Sequence, residues 1–276
     1  MAEVTAADVA KLRKACGAGM MDCKNALVES NGDFEKAIEL IRERGKAIAN
    51  KRADREAGEG VALSKVNAAG NHGAMIVLNC ETDFVAKNND FIALAQSMLD
   101  VALDKKPADL EALKALEIKG RKIGDLVMDQ SGITGEKFEL SYFDKIDAAK
   151  VVAYIHPGNK LATLVGLNVA DVDTQVGRDV AMQVAAMSPV SIDKGDVTEE
   201  VRKKEFEIGR EQARLEGKPE NMLDKIAEGK LQKFYKESTL LNQDFVKDNK
   251  MTVGSYLKSV NKELTVTGFK RVSLNA

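Results

Sequence analysis

Tryptophan is absent from this 276-residue chain, and only two histidines, three cysteines and four prolines occur in it. Cys16, Cys23, Cys80, His72 and His156 show no zinc-ligand spacing, so a structural zinc site is not expected. An odd number of cysteines without a C-x-x-C pair fits reduced thiols in a cytoplasmic protein better than a disulfide framework. No apolar run approaches the ~20 residues of a membrane span. The opening MAEVTAADVAKLRK lacks the apolar core of an export signal, and a cytoplasmic setting without membrane contact is expected. Excess charge is missing too. Forty-one basic against 43 acidic residues leave a net charge of −2, which argues against direct nucleic-acid binding.

Chemistry is equally sparse. There is no GxxxxGK phosphate loop and no GxGxxG after a strand, and Gly17-Ala18-Gly19 opens a helix that no strand precedes. Cys80 with His72 forms a formal nucleophile–base pair. Cysteines in strands, however, more often act as small buried hydrophobes. Paired carboxylates cannot be singled out among 43. Neither an active site nor a cofactor is expected.

What is present is an ordinary globular balance, 44% hydrophobic and 30% charged, at a length that suits about two domains. Residues 5–45 read as three short helices. Thr5 caps the first, Val9 and Leu12 share its inner face, and Gly17 and Gly19 end it. MMDCKNALVES forms the second, Asn31-Gly32-Asp33 stops it, and Phe34, Ala37, Ile38 and Ile41 recur at helical spacing in the third. The charged RERGKAIANKRADREAGEG then reads as a partly helical, solvated linker. Beyond it the period becomes strand-like. Val61–Val66 and Ala74–Cys80 flank the turn NAAGNHG as a hairpin. A helix capped by Asp90 runs to about Leu103, two helical pieces cover Pro107 to Met128, and KFELSYFDKI alternates as a strand.

The same order recurs. VVAYIHPGNKLATLVGLNV is a second hairpin turned at Pro157-Gly158-Asn159, followed by a helix over Thr174–Met187 and later by VGSYLKSV and the closing strand ELTVTGFKRVSL. Laid over the first copy without gaps, Leu78 meets Leu167, Asn79 meets Asn168, Asp90 meets Asp179 and Met98 meets Met187. A duplicated unit is the simplest reading. The charge-rich segment from Val197 to Ser238 interrupts the second copy as an antiparallel helical hairpin, broken at Gly217-Lys218-Pro219. Val201, Ile208 and Leu215 are expected on its narrow apolar seam, facing Leu223, Ile226, Ala227 and Phe234.

One stretch stands out. In NCETDFVAKNNDF, residues 79–91, a strand ends and a helix begins, and Phe84 sits in the polar connection between them. Connections lie at surfaces and often carry function. Two readings are open: Phe84 and Val85 fold back on the core, or an aromatic with an adjacent carboxylate is displayed for insertion into a partner. In the gapless overlay Asp173 stands opposite Phe84.

GAGMMDCKNAL, NCETDFVAKN and the duplicated core with its inserted hairpin together resemble the elongation factor Ts family, in the family's order and over essentially the whole chain. The resemblance implies an α+β fold: a three-helix, ubiquitin-associated-like domain with its linker (1–55), a first core subdomain (56–148), a second core subdomain (149–194 and 239–276), and a helical hairpin (195–238) that serves the family in dimerisation. It implies a guanine nucleotide exchange factor for elongation factor Tu, contacting that protein's G domain and beyond, without covalent chemistry. Thr82, Asp83, Phe84 and Val85 match the segment that dislodges Mg²⁺ from the partner. Met20, Met21 and Lys24 match the N-terminal contact motif, and His156 matches a histidine of the second core half. From their residues alone, the methionines would be assigned to the core and Lys24 to solvent. Longer members carry a further C-terminal helical module; no contact is assigned to one here, nor to the ITGEKF region. Two rivals stay open, a binding module without exchange activity and a cysteine-dependent enzyme.

Overall fold

Thr5 opens the first helix, α1 (Ala6–Cys16), with a reciprocal capping box. Its hydroxyl accepts the Asp8 amide at 3.2 Å, while Asp8 Oδ2 accepts the Thr5 amide at 3.1 Å. Gly17, at φ 75°, ends the helix in the left-handed region that glycine enters without penalty. Helices α2 (Met20–Glu29) and α3 (Phe34–Lys51) complete the module around Val9, Leu12, Ala18, Cys23, Ala26, Leu27 and Ala37. In the computed structural model, which describes residues 4–274, the chain divides into two compact units. The first holds the described residues up to Leu63, Met75–Asp144 and Leu274; the second holds Ser64–Ala74 and Lys145–Ser273.

The charged stretch after residue 41 is not a solvated linker throughout. Helix α3 continues through it to Lys51, and Gly45 within it is buried. The rest of the first unit explains why. Strands β1 (Glu59–Val66) and β2 (His72–Cys80) lead into a single-turn helix α4 (Asp83–Ala86) and then α5 (Asn89–Lys105). Next come α6 (Leu110–Ala115), a minimal ribbon β3 (Glu117–Ile118) and β4 (Arg121–Lys122), α7 (Ile123–Thr134) and β5 (Glu139–Asp147). Helix α7 packs on α3 at a pair of glycines: a Cβ on Gly132 would stand 2.1 Å from the Gly45 Cα. Backbones this close exclude water and bury Gly45 on one face of a helix that is otherwise half-buried or exposed after Ala37.

Strand order in the first sheet is β1-β2-β5, with β2 buried on both faces. Phe91 of α5 meets Phe138 edge-on, ring centroids 5.0 Å apart. His72, expected in a turn, instead opens β2 and is fully buried, with Nδ1 2.8 Å from Asp147. The cap of α5 is Asn88 rather than Asp90; its side chain accepts the Asp90 amide at 2.8 Å.

In the second unit β6 (Lys150–Ile155) and β7 (Leu161–Leu167) pair antiparallel around Gly158 and Asn159, both at positive φ. Helix α8 (Thr174–Met187) lies over them, its Gly177 so close that a Cβ there would stand 2.4 Å from Val152 Cγ2. The inserted arms are α9 (Glu199–Leu215) and α10 (Leu223–Ser238). A short ribbon β8 (Asp244–Phe245) and β9 (Asp248–Thr252), helix α11 (Val253–Val260) and strand β10 (Val266–Ser273) close the chain. The sheet order is β10-β7-β6, so in each sheet the second hairpin strand is central and the closing strand flanks it. Val165, Leu167, Val176, Val180, Val184, Phe245, Leu257 and Val266 make its core.

Two corrections concern spacing. Val201, Ile208 and Leu215 do not line the hairpin seam; all three are exposed, Leu215 by 80%. The seam is made by Gly209, Ala213, Leu223, Ala227 and Leu231; a Cβ added at Gly209 would stand 3.3 Å from Lys230 Cβ and 3.4 Å from Ala227 Cα, so the arms pack tightly there. The gapless overlay also breaks after the strands. Leu78 and Leu167 are both fully buried, but Met98 is buried while Met187 is 44% exposed. Asp173 caps α8 through the Gln175 amide at 2.8 Å, the part Asn88 plays for α5. Phe84 therefore has no counterpart in the second half; it lies in the extra turn α4.

Gly132→Ala is expected to lower stability by roughly 1–3 kcal/mol through overpacking, overriding the ~1 kcal/mol that alanine normally gains over glycine in a helix. Gly124→Ala, on the same helix with its nearest contact at 3.5 Å, should be neutral or stabilising. Urea denaturation of both variants checks this; equal midpoints would refute the glycine contact.

Candidate functional site

Four residues make too short a helix to hold itself, so α4 is fixed from outside. Glu136 supplies the fixing. Its carboxylate accepts the Thr82 amide at 3.1 Å and the Thr82 hydroxyl at 2.7 Å. Thr82 Oγ1 in turn accepts the Val85 amide at 3.5 Å and so caps α4. The residue before is clamped as well. Glu81 accepts from Arg52 Nη1 at 2.8 and 2.9 Å and from the Lys137 amide at 2.6 Å, with Arg55 3.7 Å away. Burial works to raise the Glu81 pKa, but the Lys137 amide and the Arg52 guanidinium overcome it and hold the carboxyl below its ordinary value. Lys137 Nζ also donates to the Ala53 and Arg55 carbonyls at 2.9 and 3.1 Å.

On this frame Ala86 is buried, Val85 half-buried, and Phe84 83% exposed. The aromatic does not fold back as a lid. Asp83 pairs with Lys87 one turn on, at 2.6 Å, and this contact raises the Lys87 pKa. Lys87 is 74% and Asp83 43% exposed, so solvent screens this pair.

The other positions are less uniform. Met20 and Met21 are 62% and 64% exposed and Lys24 is exposed, all on the outer side of α2, while Cys23, Ala26 and Leu27 form its buried side. The methionines are thus no part of their own core. Val28, 52% exposed, extends the stripe Met21–Lys24 by another helical turn. His156 belongs to the second unit; it is exposed, with Nδ1 3.0 Å from the Tyr154 hydroxyl. The Cys80–His72 pair is not assembled. The two residues terminate opposite ends of β2, ~26 Å apart at the usual strand rise. Burial, reinforced by Glu136, pushes the Cys80 thiol up to about 12. Among the described residues no group of His, Cys, Asp and Glu is arranged to hold a metal ion, and no helix is long and apolar enough to cross a membrane.

Comparison with known proteins assigns the chain. The family model described as Elongation factor TS matches residues 81–276. Elongation factor Ts of Porphyromonas gingivalis is 55% identical over 274 residues, covering 99% of each chain. That of Christiangramia forsetii is 50% identical over 275 residues, covering 99% of this chain and all of the relative. The Bacteroides fragilis protein of the same name is 41% identical over an alignment of 330 residues that covers 99% of each.

The chain belongs to the elongation factor Ts family.

It is by that membership a translation elongation factor. Within this chain, the residues that position Phe84 are not legible in the sequence. Glu136 and Lys137 lie in the ITGEKF region, to which no contact had been assigned, and Arg52 lies in the stretch read as linker. Nothing local marks them, because each acts on a residue 29 to 56 positions away. Val28 had a signal: with Met21 and Lys24 it falls at i, i+3 and i+7, one face of a helix.

Two expectations follow. Glu136→Ala should speed amide exchange of residues 82–86 about tenfold while leaving global stability within ~1 kcal/mol, since only a local anchor is lost. Unchanged exchange would show that α4 is held otherwise. Because the folded pKa of Glu81 lies below its unfolded value, its contribution is complete above the ordinary glutamate pKa of about 4.3 and disappears as pH falls through the folded value. Urea midpoints measured down through that range should fall less for Glu81→Gln than for the native chain. Parallel curves would overturn the clamp.

Proposed function

We propose that this chain is the guanine nucleotide exchange factor for elongation factor Tu, with Phe84 as an apolar wedge that it inserts beside the partner's bound Mg²⁺. One observation carries the proposal: Phe84 is presented to solvent on an anchored single-turn helix, where burial in its own core would have been the more stable choice. Family membership supports the exchange activity as a general property, and with it a role free of covalent chemistry.

Tight binding of GDP in such a GTPase rests on backbone amides around the phosphates and on Mg²⁺ neutralising their charge. A ring pushed between elements next to that site shifts the groups that hold the metal. Asp83 leaves its weak pairing with Lys87 and hydrogen-bonds partner groups that otherwise order the site; it does not become a lasting Mg²⁺ ligand. Thr82 and Val85 set the depth and angle of entry. Metal and nucleotide then leave together more readily. Linkage demands the converse: nucleotide and factor weaken each other's binding by one common factor, so incoming GTP expels the exchange factor and the cycle repeats.

Met20, Met21 and Lys24, with Val28, form the second contact, an exposed apolar stripe with one cation on a three-helix domain of ubiquitin-associated type. His156 supplies a contact from the second core subdomain. The shared strand order of the two sheets supports the reading of the core as a duplication. The outward ridge Val201, Ile208 and Leu215 is the surface this reading reserves for a second copy of the chain on the hairpin.

Release of fluorescent GDP from elongation factor Tu of the same source, with unlabelled nucleotide in excess, is the test. Native protein should accelerate release. Phe84→Ala should slow it tenfold or more, since losing a buried ring costs about 1.5–3 kcal/mol, and should leave the urea midpoint unchanged because the ring is exposed. Equal acceleration by both forms would remove the wedge. No acceleration by either would leave a binding module only.

A further inference from the structure

Two thiols remain unused by nucleotide exchange. Cys16 ends α1 and Cys23 faces inward from α2, and their Sγ atoms lie 3.7 Å apart. A disulfide needs ~2.0 Å, a closure of about 1.7 Å. The segment between them contains Gly17 at φ 75° and Gly19, backbone that can absorb such a shift.

Access differs sharply between the pair. Cys23 is fully buried, with its thiol also 3.7 Å from the Ala18 carbonyl. Burial, reinforced by the neighbouring Cys16, pushes that thiol up to about 12, so it stays protonated. Cys16 is half-buried and lines a cavity of about 550 Å³ between α1, α3 and α7, walled by Ile38, Ile41, Ile48 and Ile133. That volume admits a small oxidant to Cys16 while Cys23 stays covered.

We propose that Cys16 and Cys23 form a reversible oxidation site for hydroperoxides, with Cys16 as the thiol attacked and Cys23 as the thiol that resolves it. The Cys16 thiolate attacks the terminal peroxide oxygen. The O–O bond breaks, the leaving oxygen takes up from water the proton that Cys16 released on forming the thiolate and departs as water or an alcohol, and Cys16 carries a sulfenic acid. Cys23 sulfur then bonds to Cys16 sulfur, its proton goes to the departing sulfenic oxygen, and water is released. Overall two thiols lose two electrons and two protons, and one peroxide is reduced to an alcohol, or water, plus water. A resolving thiol in van der Waals contact captures the sulfenic acid before a second oxidation. The closed loop contains Met20 and Met21, so the bond would also restrain the α2 contact; that consequence rests on the function proposed above.

The test uses the full-length chain and hydrogen peroxide under native conditions, then quenching, denaturation, alkylation and mass spectrometry. The expected product has lost the mass of two hydrogens, yields a Cys16–Cys23 linked peptide, and is alkylated at Cys80 alone. Dithiothreitol should return all three alkylation sites. Cys16→Ser, at a half-buried position that tolerates a hydroxyl, should give no linked peptide and leave Cys23 alkylatable. Cys80→Ser should retain the linkage. Cys16 recovered as sulfinic acid with Cys23 alkylated, a bond through Cys80, or three unmodified thiols would each overturn the proposal. Thiol counting needs no partner protein, so failure of the exchange assay leaves this result readable.

Discussion

An exposed phenylalanine on four residues of helix is held by one interaction, the double hydrogen bond from Thr82 to the Glu136 carboxylate. A peptide of this length has no helical stability of its own. Tethering Thr82 by both its amide and its hydroxyl fixes position and direction together, and the same hydroxyl caps the turn it begins. Glu81 repeats the logic one residue earlier, joining β2 to Arg52 and to the Lys137 amide. The two carboxylates tie adjacent residues of a surface connection to partners 29 to 56 positions away along the chain.

Holding an aromatic ring in water forgoes the stabilisation of burial, and the structure compensates locally through the neighbours of the ring. Ala86 and Val85 anchor one side of the turn, leaving the ring alone outside. Ring exposure costs nothing relative to the unfolded chain; it forgoes burial that a partner can then provide. Met20, Met21 and Val28 do the same on α2, whose opposite face is packed. Both surfaces combine a rigid support with an unsatisfied apolar group, the arrangement expected of hot spots at an interface.

Close backbone approach recurs elsewhere for a different end. Gly45 meets Gly132 between α3 and α7, Gly209 meets Ala227 in the hairpin, and Gly177 meets Val152 under α8. Each contact removes side-chain volume where two elements cross and lets them approach closely. In the hairpin this sets the small Gly209 and Ala213 of α9 against Leu223, Ala227 and Leu231 of α10 and turns Val201, Ile208 and Leu215 outward.

The sequence by itself determined whatever depends on neighbours within a turn or two. Thr5 with Asp8 announces the first helix, Pro157-Gly158-Asn159 the second hairpin turn, and Thr174–Met187 a helix with those same ends. The polar company of Phe84 and Asp83 marked a surface connection but left open whether the ring folds back or is displayed; the structure leaves it 83% exposed. Tertiary structure decided the rest, because the deciding partners are remote along the chain. The anchors Glu136 and Arg52, the burial of His72 and the burial of Gly45 all depend on which surfaces meet. The outward turn of the heptad in α9 depends on it too: a periodic pattern states that residues share a face of a helix, and only packing states which face is covered.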